Sequence, residues 1–374
     1  MVEVREVTTQ PEIRLFSAYN TDTYLHEPGS SPDIISDEID TFNPKKNPAF
    51  SYCRVKRFLA WRDGKVVGRI GGIINERANE KWDVQACRMT RIDFIDDKEV
   101  SAALLKTLED WARSEGMERV IGPIGFNDID QEGMQIAGFD RPGPFFTIYN
   151  PAYYVEHMEA AGYEKDVDWV EYRITIPDKP DPKIHALAKR ILAKSNLTLF
   201  QPKNTAALKA HIHELFDCIN DAFRSLYGTS DMDEEMIQKY CKQYLTLLNP
   251  EFVKGVLDEN NRLIAFGMTL PSLTDALKQC RGRLFPFGWA KILKTTRSPG
   301  EVLDLILIAI EPEWQRHGLP AVIMDAMSRT AIKNGFRFAE TGPELEYNTK
   351  IQKLWKFYEV EQHKKRRSWK KILT

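Results

Sequence analysis

Val302-Leu-Asp-Leu-Ile-Leu-Ile-Ala-Ile310 is an apolar segment rich in β-branched residues, and this composition predicts a buried strand. A polar turn follows it, Glu311-Pro-Glu-Trp-Gln-Arg-His-Gly318, and residues 319–334 then carry apolar side chains at helical spacing. A strand, a glycine-containing turn and an exposed helix start form an anion site, because free backbone N–H groups and the positive end of the helix dipole converge there. We therefore predict that the chain handles a phosphate-bearing cofactor at this turn.

The bulk properties are those of a globular chain with two domains. The chain has 374 residues, of which 43% are hydrophobic and 28% charged, and its net charge of −2 gives no overall attraction for nucleic acid. The N-terminus has no apolar signal segment, and the longest apolar run is too short to span a bilayer. Five dispersed cysteines argue against a disulfide framework or a zinc site, so we predict a cytoplasmic protein without a metal.

The two halves of the chain repeat the same order of elements. Phe58–Ile74 predicts a hairpin that turns at Asp63-Gly64, and Phe252–Met268 predicts a second hairpin. Each hairpin is followed by a strand, a helix and a short segment that begins with glycine and ends with Gly-Pro, at 116–123 and at 335–343. The shared order favours duplication over a chance resemblance of common elements. The boundary is predicted at the Pro-rich linker 177–182. The predicted domains are 1–176 and 183–374, with an insertion at 278–300 of the second.

This layout resembles the GNAT superfamily of N-acyltransferases. Gln315-Arg-His-Gly-Leu-Pro320 is similar to the pyrophosphate loop of that superfamily, and Asn348–Trp355 is similar to the helix beside the acyl thiol. The whole chain further resembles an uncharacterised bacterial family of tandem GNAT proteins, with Arg283–Trp289 and Glu344–Asn348 among the matching segments. The resemblance implies an α/β fold of two GNAT-like domains, each with a mixed central sheet flanked by helices.

The resemblance also implies an activity, namely transfer of an acyl group to an amine, with acetyl-CoA or a longer acyl-CoA as co-substrate. The strand would pair with the pantetheine amides, the turn and the first helical residues would hold the pyrophosphate, and an asparagine would lie beside the thiol. These expected cofactor residues are Leu307, Ile308, Ala309 and Ile310, then Gln315, Arg316, His317, Gly318, Leu319 and Ala321, and finally Asn348.

The sequence departs from the GNAT pattern at three places. Pro320 lacks an N–H and removes one phosphate donor, although proline fits the first turn of a helix. Trp355 occupies a position where many GNAT enzymes carry the tyrosine that protonates the thiolate, and an indole cannot deliver that proton. The N-terminal half has Asp96–Val100 in place of the loop, without a glycine, so its cofactor site is predicted to be degenerate.

The catalytic acid and base are less clearly marked. Glu344 and Glu346 follow a predicted strand near the expected amine entrance, and either is a candidate general base. Carboxylates on a loop are also common as solvated or capping groups, and water can relay the proton instead. Tyr358 is a candidate acid, although an aromatic residue at that place is often part of the core.

The insertion admits two interpretations. Residues 281–297 contain five cations and no acid, and Phe285, Trp289, Ile292 and Leu293 are spaced to share one helical face. An interfacial amphipathic helix has this pattern, which would imply peripheral membrane contact and a lipophilic amine or acyl chain. A lid packed on its own domain has the same pattern, with a small-molecule amine as acceptor.

Two rival functions remain at this point. A non-catalytic CoA-binding or scaffold protein is compatible with Pro320 and Trp355. An aminoacyl-tRNA-dependent transferase also uses tandem GNAT-like folds without a CoA loop, but the net charge argues against tRNA binding. The basic segment 364–371 alternates around Trp369 and predicts an exposed last strand rather than a nucleic-acid site.

Overall fold

A computed structural model describes residues 1–245, 247–298 and 300–373, and in these ranges fourteen strands join one sheet. In chain order the strands are β1 (Glu3–Glu6), β2 (Cys53–Arg62), β3 (Lys65–Asn75), β4 (Ala86–Phe94), β5 (Arg119–Gly122), β6 (Met134–Ala137), β7 (Glu164–Thr175), β8 (Thr198–Phe200), β9 (Val253–Leu257), β10 (Leu263–Pro271), β11 (Val302–Ile310), β12 (Phe338–Thr341), β13 (Glu344–Leu345) and β14 (Glu359–Ile372).

Helices cover both faces of this sheet. The α-helices are α1 (Gln10–Tyr24), α2 (Ile35–Thr41), α3 (Glu76–Trp82), α4 (Lys98–Ser114), α5 (Tyr154–Ala160), α6 (Pro182–Lys194), α7 (Thr205–Lys209), α8 (Ile212–Phe223), α9 (Glu234–Tyr244), α10 (Thr274–Cys280), α11 (Gly288–Thr295), α12 (Leu319–Lys333) and α13 (Thr349–Gln352). Within the described ranges, every helix is too short or too polar to cross a bilayer.

The two halves repeat one topology, and the predicted mixed α/β fold is confirmed. The strand order is β1-β2-β3-β4-β5-β14-β7-β12-β11-β10-β9-β8. An antiparallel hairpin leads to a parallel pair in each half, β4 with β5 and β11 with β12. The long helices α4 and α12 connect the members of these parallel pairs. The predicted hairpin turn at Asp63-Gly64 is present, with positive φ at both residues as a two-residue turn requires.

The halves share their central strands, so that the two expected sheets form one. β7 comes before the predicted linker, yet it pairs with β12 of the second half. β14 closes the chain and pairs with β5 of the first half as well as with β7. The exposed linker 177–182 therefore separates the halves along the chain, while β7 and β14 lie side by side at the centre of the sheet.

The position of β14 corrects one expectation about the basic segment. The segment forms a strand as predicted, but the predicted exposure is wrong, because Lys364 and Arg366 are each 1% exposed. Arg366 is paired with the equally buried Glu171 of β7, and the Lys364 ammonium donates to the Gly138 carbonyl at 2.6 Å. Buried charges need such partners, and both cations find theirs within the central part of the sheet.

Two further segments differ from the sequence prediction. Phe285, Trp289 and Ile292 do not share a buried face, because α11 begins only at Gly288, after Pro286. Ile292 is 1% exposed and Trp289 is 50% exposed. The helix expected at 348–355 is also shorter, since α13 ends at Gln352 and a 3-10 helix, Lys353–Phe357, continues the chain.

Candidate active site

The open edge of β11 is the first component of the candidate site. Residues 302–305 pair with β12, and the Gly342 N–H then donates to the Leu305 carbonyl at 3.2 Å as the two strands diverge. Along 306–310, none of the strands in the described ranges pairs with this edge. On the other edge the register with β10 shifts at Ile306, which forms a bulge. The free backbone groups of this edge suit an extended ligand that pairs like a strand.

The predicted pyrophosphate turn lies at the surface, at the start of α12. Gly318 is the N-cap and has φ +78°, a left-handed conformation that glycine adopts without strain. Arg316 and His317 are exposed beside it, and Leu319 is buried beneath. Pro320 lies in the first turn, as expected, so fewer N–H groups are free there than in a helix without proline. The turn presents the Arg316 guanidinium to solvent, while the Ala321 N–H already donates to the Gly318 carbonyl at 3.0 Å.

Gln315 connects this turn to its neighbours. Its side-chain amide donates to the Ile310 carbonyl at 3.4 Å and accepts from the Lys350 ammonium at 3.3 Å. Lys350 belongs to α13, and Asn348 is the N-cap residue of that helix. The strand end, the turn and α13 are therefore joined by one side chain.

A cavity of about 310 Å³, here called the central cavity, lies against the open edge of β11. Its volume is at the lower end of the range of small-molecule sites, roughly 300–1,000 Å³. Apolar and aromatic side chains dominate the lining, contributed by β11, by the two helices α8 and α9, and by the segment before β7. Among them are Leu307, Ile308, Phe216, Ile219, Tyr244 and Phe146. Such a lining favours a ligand with a hydrocarbon portion.

Glu344 supplies a titratable group in the wall of the central cavity. It is the first residue of β13, which pairs with β7, and its carboxylate accepts from the Trp355 indole N–H at 2.9 and 3.2 Å. Burial raises the pKa of Glu344 to about 8; the Trp355 hydrogen bond opposes this shift and the charge of Glu171 adds to it. A carboxyl group whose pKa lies near neutrality is suited to accept and return a proton.

The other two catalytic candidates lie apart from Glu344. Glu346 points to the surface, where its carboxylate forms an ion pair with the Lys165 ammonium at 2.6 Å, and it does not line the central cavity. Tyr358 packs against the apolar core of the second half, and burial raises the pKa of its phenol to about 12. The structure thus brings Glu344 and Asn348 to the cavity with Leu307 and Ile308, and leaves Glu346 and Tyr358 outside it.

Trp355 has a defined role in this geometry. It is 3% exposed, lines the central cavity and holds Glu344 through its N–H. The residue that departs from the GNAT pattern is therefore the hydrogen-bond donor that orients the candidate base.

The first half contributes a group of acidic residues, within the segment 128–132, to the same cavity. Burial raises the pKa of Asp128 to about 6, and burial together with the charge of Asp128 raises the pKa of Glu132 well above its ordinary value. Burial alone would raise the pKa of Asp130 as well, but its ion pair with Arg91 at 2.7 Å makes the net shift a lowering. A cationic group is a suitable partner for carboxyl groups in such a place.

The helices that close the cavity were also not recognised from the sequence. α8 and α9 place one apolar face in a core cluster with Phe42 and Phe126 of the first half. The amphipathic spacing of residues 212–223 and 234–244 was available as a signal, but it does not reveal the surface against which each helix packs.

Comparisons with known proteins define the fold. No protein-family model matches the chain. It is 25% identical over 374 residues to Protein YghO of Escherichia coli strain K12, a match that covers 98% of this chain and 95% of the relative. It is also 25% identical over 359 residues to the bacterial ceramide synthase of Caulobacter vibrioides strain NA1000 / CB15N, which covers 93% of this chain and 91% of the relative.

Among solved structures, a tandem GNAT protein from the clavulanic acid biosynthesis pathway matches over 100% of this chain and 99% of its own, with a TM-score of 0.55 at 11% identity. The chain has the tandem GNAT fold over its whole length, and this part of the prediction is confirmed.

Proposed function

We propose that the protein is a CoA-dependent N-acyltransferase whose amine acceptor or acyl group carries a long hydrocarbon chain. The observation that carries the proposal is Glu344, a buried carboxyl with a pKa of about 8 in an apolar cavity that adjoins the open edge of β11. The tandem GNAT fold and the similarity to a relative named as a ceramide synthase support it. A ceramide is itself an amide of a fatty acid and a long-chain amine.

In the proposed reaction the acyl-CoA lies along β11, with its pyrophosphate at the turn 315–319. The pantetheine pairs with residues 307–310, and the thioester lies near Asn348. The cavity lining accepts the hydrocarbon portion, and burial of apolar surface contributes about 25 cal/mol per Å². The ammonium end of the acceptor is drawn toward Asp128 and Glu132, which lie in the wall of the same cavity.

Glu344 then transfers a proton during the acyl transfer. The acceptor ammonium gives one proton to the Glu344 carboxylate, and the neutral nitrogen attacks the thioester carbonyl. A C–N bond forms, the C–S bond breaks, and the second proton that the nitrogen loses goes to solvent. The Trp355 indole N–H is too weak an acid to protonate a thiolate, and Tyr358 lies outside the cavity, so the protonated Glu344 returns its proton to the departing thiolate. A pKa of about 8 suits both steps, since it lies close to the roughly 8.5 of an ordinary thiol.

The test is calorimetry and turnover on the purified chain. We expect acetyl-CoA and a long-chain acyl-CoA to bind, and we expect thiol release only when an amine is added, faster with dodecylamine than with butylamine. Binding without thiol release for any amine would instead support a CoA-binding scaffold. If neither thioester binds, the CoA-dependent reaction is wrong, and transfer from aminoacyl-tRNA becomes the alternative to assay.

A further inference from the structure

Three aromatic side chains project from the insertion of the second half into solvent. Phe285 is 82% exposed, Phe287 76% and Trp289 50%. Apart from Met1, the two phenylalanines are the most exposed large hydrophobic residues among those described. Soluble surfaces seldom keep so many adjacent aromatic side chains uncovered, so a cluster of this kind marks a contact site. These three residues are called the aromatic tip.

The aromatic tip stands on a fixed base. Behind it, Ile292 is 1% exposed and packs with Leu273 and Leu277 of the preceding segment. The Arg283 guanidinium is held by two hydrogen bonds to the Asp22 carboxylate, at 2.8 and 2.9 Å. The segment is therefore anchored to both halves of the molecule, and the aromatic tip points away from that base.

Positive charge surrounds the aromatic tip. The side chains of Arg281, Lys291, Lys294 and Arg297 are all exposed. The sequence from 276 to 300 has no aspartate or glutamate. Exposed aromatic residues beside unopposed cations match the two layers of an anionic membrane surface, with apolar acyl chains beneath negatively charged headgroups.

We infer that the aromatic tip and its flanking cations dock the protein on the surface of an anionic lipid bilayer. The cations contact the headgroups, and Phe285, Phe287 and Trp289 enter the interface. A second copy of the chain fits this surface poorly, because self-association would bring two sets of like charges together. The inference does not depend on the proposed reaction.

The same base connects the docking surface to the central cavity. The apolar cluster that holds Ile292 also includes Leu270 and is packed against Phe145, Leu247 and Ile306. These four residues line the central cavity. One apolar cluster therefore extends from behind the aromatic tip to the wall of the central cavity.

Vesicle flotation of the full chain tests the inference. The probes are vesicles of phosphatidylcholine alone and of an equal mixture of phosphatidylcholine and phosphatidylglycerol. We expect the parent to float with the mixed vesicles. Combined replacement of Phe285, Phe287 and Trp289 by Ser should reduce the bound fraction roughly tenfold. Replacement of Lys291, Lys294 and Arg297 by Glu should remove the preference for the anionic vesicles.

A matched control replaces exposed apolar residues elsewhere. Leu15→Ser with Phe357→Ser removes side chains that are 45% and 73% exposed, and this variant should float like the parent. Thermal unfolding of each variant verifies that it is folded.

The inference is overturned if the parent fails to float, if the aromatic variant floats equally, or if the aromatic variant instead dissociates a dimer seen by size-exclusion chromatography. Thiol release with short, soluble substrates should stay at the parent level in both tip variants, which separates docking from the proposed reaction.

Discussion

At the scale of single residues, the proposed chemistry depends on one carboxyl group. Glu344→Gln keeps the shape of the side chain and its contact with Trp355 but removes the proton acceptor. We expect kcat/KM to fall by roughly 100-fold or more, the range for loss of a general base, while the Kd for CoA stays unchanged. Steady-state thiol release and calorimetry measure the two quantities.

Glu346→Gln is the matched control, since it makes the same change two residues away at the surface. We expect near-parent activity, because exposed ion pairs contribute little. If the two variants lose activity equally, or if only Glu346→Gln does, Glu344 is not the base.

The same carboxyl group sets the expected pH dependence. Only the ionised form accepts a proton, and the pKa of Glu344 is about 8. The parent kcat/KM should therefore rise with pH, about tenfold per pH unit below 8, and level off above it. Initial rates measured from about pH 6 to about pH 9.5 give the profile, since this range brackets the pKa of Glu344. A Glu344→Gln profile with the same inflection would assign the titration to another group.

Trp355→Phe tests the hydrogen bond that accompanies Glu344. The indole N–H stabilises the carboxylate and lowers its pKa, against the larger effect of burial. Without this donor the pKa of Glu344 should rise further, so the midpoint of the rate profile should move to higher pH while the plateau changes less. A profile that falls uniformly without a shift would indicate a packing role only. A Leu354→Ala variant, altered at a neighbouring residue of the same apolar cluster, controls for general disturbance of the core.

The sequence predicted the part of the site that depends on the local order of elements. Glu344 follows a predicted strand by a few residues, so its place near the cofactor edge could be inferred from local order. Burial and the Trp355 contact separate it from Glu346, and neither is visible in a loop sequence. Asp128 and Glu132 lie far away in the chain, and only the folded arrangement brings them to the same cavity.

At the scale of elements, the anion site depends on the turn before α12. Gly318→Glu places a negative charge where the pyrophosphate is expected, and it should weaken CoA binding by roughly 100-fold or more, since the added carboxylate repels the phosphates. Because Gly318 has φ +78°, any side chain also adds backbone strain, of about 1 kcal/mol. Calorimetry gives the Kd, and urea unfolding gives the free energy of unfolding.

Gly318→Ala is the control for that strain. Its Cβ meets the same neighbour, since a Cβ at this position would lie 2.8 Å from Ile191 Cδ1, but it carries no charge. We expect a similar loss of stability with a much smaller loss of affinity. Equal affinities for CoA in the parent and in Gly318→Glu would show that the phosphates bind elsewhere.

The regular elements were predicted best where local sequence alone determines them. β11 and α12 follow from apolar composition and periodicity, and the first hairpin follows from its Asp-Gly turn. The segments that failed contain local conflicts. Pro286 delays α11, so the aromatic residues before it never join the helical face. Residues 349–357 form a short α-helix followed by a 3-10 helix, and the predicted single helix is wrong there.

At the scale of the whole molecule, the sequence did not predict which strands pair between the two halves. The alternation of residues 364–371 predicts a strand but not its neighbours, and a strand of lysines and arginines normally indicates an exposed edge. β14 instead lies between β5 and β7, where Glu171 neutralises Arg366. Long-range partners that compensate buried charge leave no local signature in the sequence.

Because β7 and β14 each pair with a strand of the other half, the two halves should stay together after proteolytic cleavage of the linker. A protease site inserted in the exposed linker 177–182 should be cleaved without separating the halves, because β7 stays paired with β12 and β14 with β5. The two fragments should co-elute in size-exclusion chromatography and unfold in one transition.

Arg366→Met in the cleaved protein leaves Glu171 buried without its partner, a change that costs about 3–5 kcal/mol. The fragments of that variant should separate at lower urea concentration. A surface variant such as Arg337→Met, which loses an exposed pair with Glu301 and a contact with the Phe338 ring, should behave like the parent. Fragments that separate in native buffer without any substitution would show that the halves are held together by the linker alone.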